Sequence, residues 1–157
     1  VLGRPGEVTW HRSLQVGVVR HSERHLRSDP PTAAELAALR ADVPLDPPPE
    51  PIDVAIAVAG TPTQAAAIDL GLEPYDPALV EGHVLTVETL DELLDRLAAM
   101  PLAERRNVRG IDPARAPVIV AGIAILLEVL RSFGLGAVEV SERDILWGLV
   151  LSTTSAA

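Results

Sequence analysis

Two apolar runs in this chain break off in the same way, and that pattern narrows the fold more than any other feature. Residues 52–58 are rich in β-branched side chains and end in Ala59-Gly60-Thr61-Pro62-Thr63. Residues 117–120 end in Ala121-Gly122. A short apolar, β-branched run predicts a buried strand, and a small residue with glycine predicts direct entry into a helix. The same alternation recurs along the chain. A turn at Arg4-Pro5-Gly6-Glu7 leads into a strand over 8–19, giving an opening hairpin. Ser22 is placed to cap a short helix running to Arg27. Thr32 caps the next helix, with Glu35 three residues on as a capping box and Ala33, Leu36, Ala37 and Leu39 behind it. A helix over 64–70, capped by Thr61 or Thr63, is stopped by Gly71. Further helices are predicted over 86–100, 102–108 and 122–133, a strand over 138–140, and a last helix from near Ser141 through Gly148. Strands alternating with helices after a hairpin indicate a mixed α/β domain.

Composition then removes whole classes of chemistry. The chain has 157 residues, 48% hydrophobic and 22% charged, enough apolar surface for one cored domain and too much for disorder. Without cysteine there are no disulfides, thiolate metal sites or thiol nucleophiles. All 13 basic residues are arginine, so lysine Schiff bases and a Walker-type lysine are excluded. Aromatics at 3% leave no stacking platform for single-stranded nucleic acid. A net charge of −9 argues against a nucleic-acid or anionic-membrane surface. The longest apolar run, 118–127, is about half of the roughly 20 residues that span a bilayer. No targeting segment is visible, and a start at Val1 in place of methionine is what an excised piece would show.

The charge is segregated. Residues 1–40 hold six arginines against four acids, residues 41–100 one arginine against twelve, and residues 101–157 six against six. The stretch from His11 to Arg27 is the most basic. Its arginines suit bidentate phosphate or carboxylate contacts, and the alternative is a solvated face or pairing with the acidic middle of the chain.

The two strand-to-helix junctions are the places for chemistry. Backbone amides at a helix N-terminus favour an anion, glycine lets a phosphate approach, and Thr61 and Thr63 add hydroxyl donors. The alternative at each is a tight turn and nothing more. His21 and His25 are spaced i, i+4 but lack a third metal ligand, so exposed histidines flanking arginines are expected. Glu23 could serve as a base but is expected to pair with Arg20. Glu104-Arg105-Arg106 is expected to form helix surface, with Arg105 or Arg106 within reach of a ligand as the alternative, and Asp69 and Asp76 to serve structure. No general acid/base pair or nucleophile triad emerges from spacing.

Read as ordered motifs, the chain resembles the exopolyphosphatase/guanosine pentaphosphate phosphohydrolase (Ppx/GppA) family. Ser13-Leu14-Gln15-Val16-Gly17-Val18-Val19-Arg20 through Glu23-Arg24 is similar to a segment S-L-x-x-G-x-V-R-x-x-E-R. Residues 57–63 resemble a G-x-A-G-T-x-T loop. Tyr75-Asp76-Pro77 with Val80, Gly82 and Leu85 resembles Y-D-x-x-x-V-H-G-x-x-L. Residues 102–122 resemble the stretch L-x-E-R through R-A-D-V-I-V-A-G, and Val140-Ser141-Glu142-Arg143 resembles the V-S start of a terminal motif.

The resemblance implies an α/β, ribonuclease H-like (acetate/sugar kinase–actin-like) domain with a mixed sheet flanked by helices. Residues 1–151 would be the second, phosphate-binding domain of a two-domain cytoplasmic hydrolase, with 152–157 a frayed tail. Its partners would be polyphosphate or guanosine pentaphosphate and the missing N-terminal domain of the same chain, with no nucleic acid and no membrane; a homodimer is compatible. The implied chemistry is attack of a carboxylate-activated water on a terminal phosphate, usually with Mg²⁺ whose ligands are not in this fragment. The implied phosphate-facing residues are Gly60, Thr61 and Thr63, with Arg20 and Arg115 as phosphate contacts and Gly122 as a second loop glycine; no catalytic base and no metal ligand is assigned. Departures from the pattern are Glu81 for histidine, Pro117 for aspartate, and Asp144-Ile145-Leu146-Trp147-Gly148 for G-L-R-E-G. They motivate the alternative of a non-catalytic relative that binds a phosphate-rich ligand or a protein.

Overall fold

The computed structural model describes residues 1–4, 7–46, 48 and 50–148. The chain opens with an antiparallel pair, β1 (Leu2–Arg4) and β2 (Glu7–Trp10), in which Arg4 faces Glu7. The turn expected at Pro5-Gly6 lies outside the described residues. The strand predicted over 8–19 ends at Trp10, and helix α1 (Val18–His25) follows with Gly17 as its N-cap. Alternating valines around Gly17 read as strand, but helical periodicity is what puts His21 inward. Ser22 therefore lies within α1 and caps nothing, and His21 is buried instead of exposed.

Helix α2 (Ala33–Ala41) begins at the expected capping box. The Thr32 hydroxyl accepts from the Glu35 amide at 3.2 Å, while the Glu35 carboxylate accepts from the Thr32 amide at 2.7 Å. Asp42, at its end, takes hydrogen bonds from Arg24 at 2.6 Å and His25 at 2.8 Å. Hydrogen bonding to His25, then to Arg24, holds the Asp42 carboxyl below the usual carboxylate range. Arg12 pairs with Asp46. Much of the basic N-terminal stretch is thus satisfied by the acidic middle.

The second sheet positions the site. Its strands are β3 (Ile56–Val58), β4 (Val84–Thr86) and β5 (Ala137–Ser141), ordered β3-β5-β4, with β3 parallel and β4 antiparallel to β5. Among the described residues β3 is an edge strand, with Ile56 62% and Val58 43% exposed. Strand β3 feeds helix α3 (Gly60–Asp69), which Gly71 ends at φ +60°. Short α4 (Pro77–Val80) is capped by Asp76, whose carboxylate accepts from the Ala78 amide at 2.9 Å. The sequence pattern did not signal β4, because Thr86 both ends it and caps α5 (Val87–Ala98), hiding three strand residues before a strong helix. Helix α6 (Leu102–Arg105) is shorter than predicted.

The largest departure concerns residues 117–122. The segment is not strand and loop: residues 117–118 are a turn and 119–122 begin helix α7 (Ile119–Ser132), most of whose residues are buried. Val118-Ile119-Val120 favour strand by propensity, yet a helix enclosed on nearly all sides is apolar all round and loses its amphipathic signature. Helix α7 packs on α1, α2, α3 and α5, and Leu97, Ile123, Leu127 and Leu130 lie at the centre of that core. Residues 145–148 are helical, starting later than Ser141, with Asp144 accepting from the Leu146 amide at 2.9 Å. The tail at 152–157 lies outside the described residues. Among the described residues no helix is long and apolar enough to cross a membrane.

Candidate functional site

Where β3 turns into α3, Ala59 adopts φ +75°, a left-handed conformation that non-glycine residues rarely take. That bend brings the first turn of α3 to the mouth of an open cavity of about 700 Å³. The opposite wall is residues 106–113 and Arg115, and a third side is Leu72-Glu73-Pro74-Tyr75. In the first turn of α3 the Gly60 and Thr61 amides have no intrahelical partner, Pro62 has no N–H and the Thr63 amide donates to the Ala59 carbonyl at 3.4 Å; this end is the positive end of the helix dipole.

Arg115 lies against this helix end. A Cβ placed on Gly60 would come within 2.7–2.9 Å of three atoms of the Arg115 guanidinium, so glycine is what allows the cation to sit there. Arg115 is exposed and, among the described residues, has no carboxylate within ion-pair distance. Arg106 and Arg109, on the same wall, also lack one there. A guanidinium held at the positive end of a helix is repelled by the dipole, so Arg115 and the helix end together favour an anion. Arg109 lies farther along the cavity, its Cδ 3.9 Å from where a Cβ on Gly71 would sit, past the other end of α3. Glu73 and Asp112 line the cavity as well, so the site is cationic but not uniformly so.

Thr63 lines the cavity, and its hydroxyl donates to the Ala59 carbonyl at 3.1 Å. Tyr75 donates its hydroxyl to the Glu142 carboxylate. Burial, reinforced by that carboxylate, pushes the Tyr75 phenol up to about 12 against an opposing Thr63 hydroxyl. Tyr75 therefore stays protonated at neutral pH and ties the cavity wall to the end of β5.

Three of the sequence-derived residues thus converge: Gly60, Thr63 and Arg115. The other three do not join them. Thr61 turns inward, its side chain filling the space above Gly122. Gly122 is no loop glycine: it is buried within α7, where the missing side chain admits Thr61 and lets α3 and α7 approach. Arg20 is on α1, donating to the Gln15 backbone and side-chain oxygens at 3.2 and 3.0 Å, and lines a separate groove over residues 14–20. Its expected partner Glu23 does not bind it.

Several residues of the site escaped the sequence reading. Arg105, expected on the surface, is buried, where its guanidinium donates to the carbonyls of Leu97, Met100 and Ala116. Gln64 is buried beside the cavity and bonds to the facing loop. Its only sequence signal is a lone amide before the small apolar run 65–68. Asp69 and Asp76 have the structural roles expected, Asp69 binding His83 at 2.8 Å. Among the described residues no three His, Asp or Glu side chains gather as metal ligands, so these residues do not by themselves fit a Mg²⁺ site.

A sequence model of the Ppx/GppA phosphatase family matches residues 1–156. "Exopolyphosphatase 2" of Mycobacterium tuberculosis is 34% identical over 157 residues, covering 93% of this chain and 49% of that protein. "Exopolyphosphatase 1" of Mycobacterium bovis is 29% identical over 150 residues, covering 88% and 42%. A crystal structure of the Aquifex aeolicus Ppx/GppA phosphatase superposes with a TM-score of 0.86 at 31% identity, over 96% of this chain and 51% of the other. The chain spans about half the length of the curated relatives it matches.

Proposed function

The chain belongs to the Ppx/GppA phosphatase family and has its ribonuclease H-like α/β fold, and on that premise we propose that it is the phosphate-holding half of an exopolyphosphatase-type hydrolase. The substrate in this reading is polyphosphate or guanosine pentaphosphate, from which water displaces a terminal phosphate in a cytoplasmic enzyme. One observation carries the reading: Arg115, without a counter-carboxylate among the described residues, rests on Gly60 at the N-terminus of α3. An incoming phosphate would accept from the free helix amides while the guanidinium offers paired donors on its other side. Arg106 and Arg109 would balance further charge along a polyanion. The water-activating carboxylate and the Mg²⁺ ligands belong to the remainder of a longer chain, which is also the partner of this half.

Binding of inorganic tripolyphosphate to the polypeptide as its gene encodes it, at fixed salt, tests the assignment. Arg115→Ala removes the cation, and Gly60→Val drives it off the helix end. Each should weaken binding by about tenfold or more, the usual worth of a charged hydrogen-bonding group. Affinity unchanged in both variants would remove the basis of the assignment.

A second reading, a non-catalytic phosphate-binding relative, draws on Glu81. Where the family motif has histidine, this carboxylate is committed to the Ser141 hydroxyl at 3.1 Å, the Glu142 amide at 2.7 Å and Arg143 at 3.3 Å. Tripolyphosphate binding with no phosphate release by the full polypeptide in Mg²⁺ would favour it.

A further inference from the structure

We infer that Gln64 is a positioning residue, whose carboxamide locks the arginine-bearing loop at 106–115 against α3 and so aims Arg115 at the helix end. The inference rests on the phosphate-site reading given above. Gln64 lies one turn into α3 and is only 6% exposed. Its Nε2 donates to the Gly110 carbonyl, and its Oε1 accepts from the Asp112 amide at 2.9 Å. These two bonds grip the loop on either side of Ile111, four residues before Arg115. Among the described residues they are the only hydrogen bonds that reach 109–114 from a distant part of the chain.

The contact is tight. Gly110 has φ +85°, and a Cβ there would lie 2.2 Å from the Ala67 carbonyl oxygen, so only glycine lets the loop backbone lie on the helix. Arg105 fixes the two ends of the segment by holding Met100 and Ala116 together, leaving the middle to Gln64. The chemistry of the side chain is specific to the task. One planar group must donate to a carbonyl and accept from an amide two residues away. Glutamate offers the acceptor alone, leucine neither, and asparagine is a methylene short. A glutamine that merely satisfied the core would leave the affinity of the cavity indifferent to its loss.

The test uses the full polypeptide, inorganic tripolyphosphate as probe, and melting curves to verify folding. In Gln64→Leu, amide hydrogen exchange across 110–115 should quicken and tripolyphosphate binding weaken about tenfold. Adding Arg115→Ala to Gln64→Leu should then cost much less than Arg115→Ala costs in the wild type, because the guanidinium is already misplaced. Gln64→Glu, which keeps the acceptor, should fall between the two and gives the same reading if Gln64→Leu fails to fold. Unchanged affinity despite faster exchange, or strictly additive losses in the double variant, would overturn the positioning role while leaving the phosphate site standing. Wild type and Arg115→Ala binding tripolyphosphate equally would instead overturn the site reading and this inference with it.

Discussion

Glu35 accepts from the Thr32 amide and hydroxyl and from the amides of Arg27 and Ser28, at 2.7 to 3.0 Å. Backbone hydrogen bonding, first from Thr32, holds its carboxyl down at about 2. A carboxyl depressed in the folded chain stabilises it above the ordinary carboxylate range, and that contribution fades as the pH falls toward about 2. A side-chain titration of Glu35 by NMR should therefore show a midpoint well below that of a solvated glutamate; an ordinary midpoint would mean that the four bonds do not persist in solution. This capping box was legible because both of its partners lie within one turn. The bonds from Arg27 and Ser28 were not, since only the fold brings the end of α1 to the start of α2. Arg115 and Gly60 illustrate the same division: each was picked out by motif, but their contact spans 55 positions of sequence. His21 and Arg105 were misjudged because residue type predicts exposure and says nothing of a buried carbonyl waiting for a donor.

At the level of elements, the contact between α3 and α7 decides how firmly the site is mounted. Gly122 faces Thr61, and a Cβ on Gly122 would lie 2.6 Å from the Thr61 hydroxyl oxygen and 2.8 Å from its methyl. Alanine normally strengthens a helix interior relative to glycine. Here Gly122→Ala should instead destabilise by about 1–3 kcal/mol, the cost of overpacking a tight interface. Thr61→Ala in the same chain should recover most of the loss, giving a coupling visible in chemical denaturation of the four cycle members. Simple additivity would show that the two helices have room to spare. The misreading of residues 117–120 has the same origin: β-branched propensity won locally, while the structure spent the segment on a helix buried on most sides. Helices α2 and α5 were legible from a cap and a breaker, which act locally; of α3 only the Gly71 stop was, since its N-cap is Ala59 and Thr61 and Thr63, expected to cap it, lie within its first turn. Strand β4 was not, being three residues held only by pairing with β5.

For the molecule as a whole, the alternation of strand and helix disclosed the class, and the ordered motifs disclosed the family; neither disclosed the division into a two-stranded and a three-stranded sheet. Charge segregation left open both a solvated face and the pairing that Arg12 and Arg24 make with Asp46 and Asp42, and it hid the cationic cavity wall in a segment of balanced charge. Since no three potential metal-ligating side chains gather among the described residues, the 157 residues alone should release negligible phosphate from polyphosphate in Mg²⁺. A phosphate-release assay on the purified chain checks this, and brisk turnover would refute the assignment of the catalytic groups to another part of the protein. The exposed edge at β3 has a further consequence. Ile56 and Val58 stand on a strand whose outer backbone groups can template pairing with a second strand, the geometry from which aggregates grow. Glu50 and Asp53 lie just ahead of it, charges of the kind that discourage such pairing by repulsion between copies, whereas Asp46 is already paired with Arg12. Because the chain's net charge vanishes near pH 4.8, aggregation through this edge should be fastest there, and a light-scattering pH series on the isolated chain would show it.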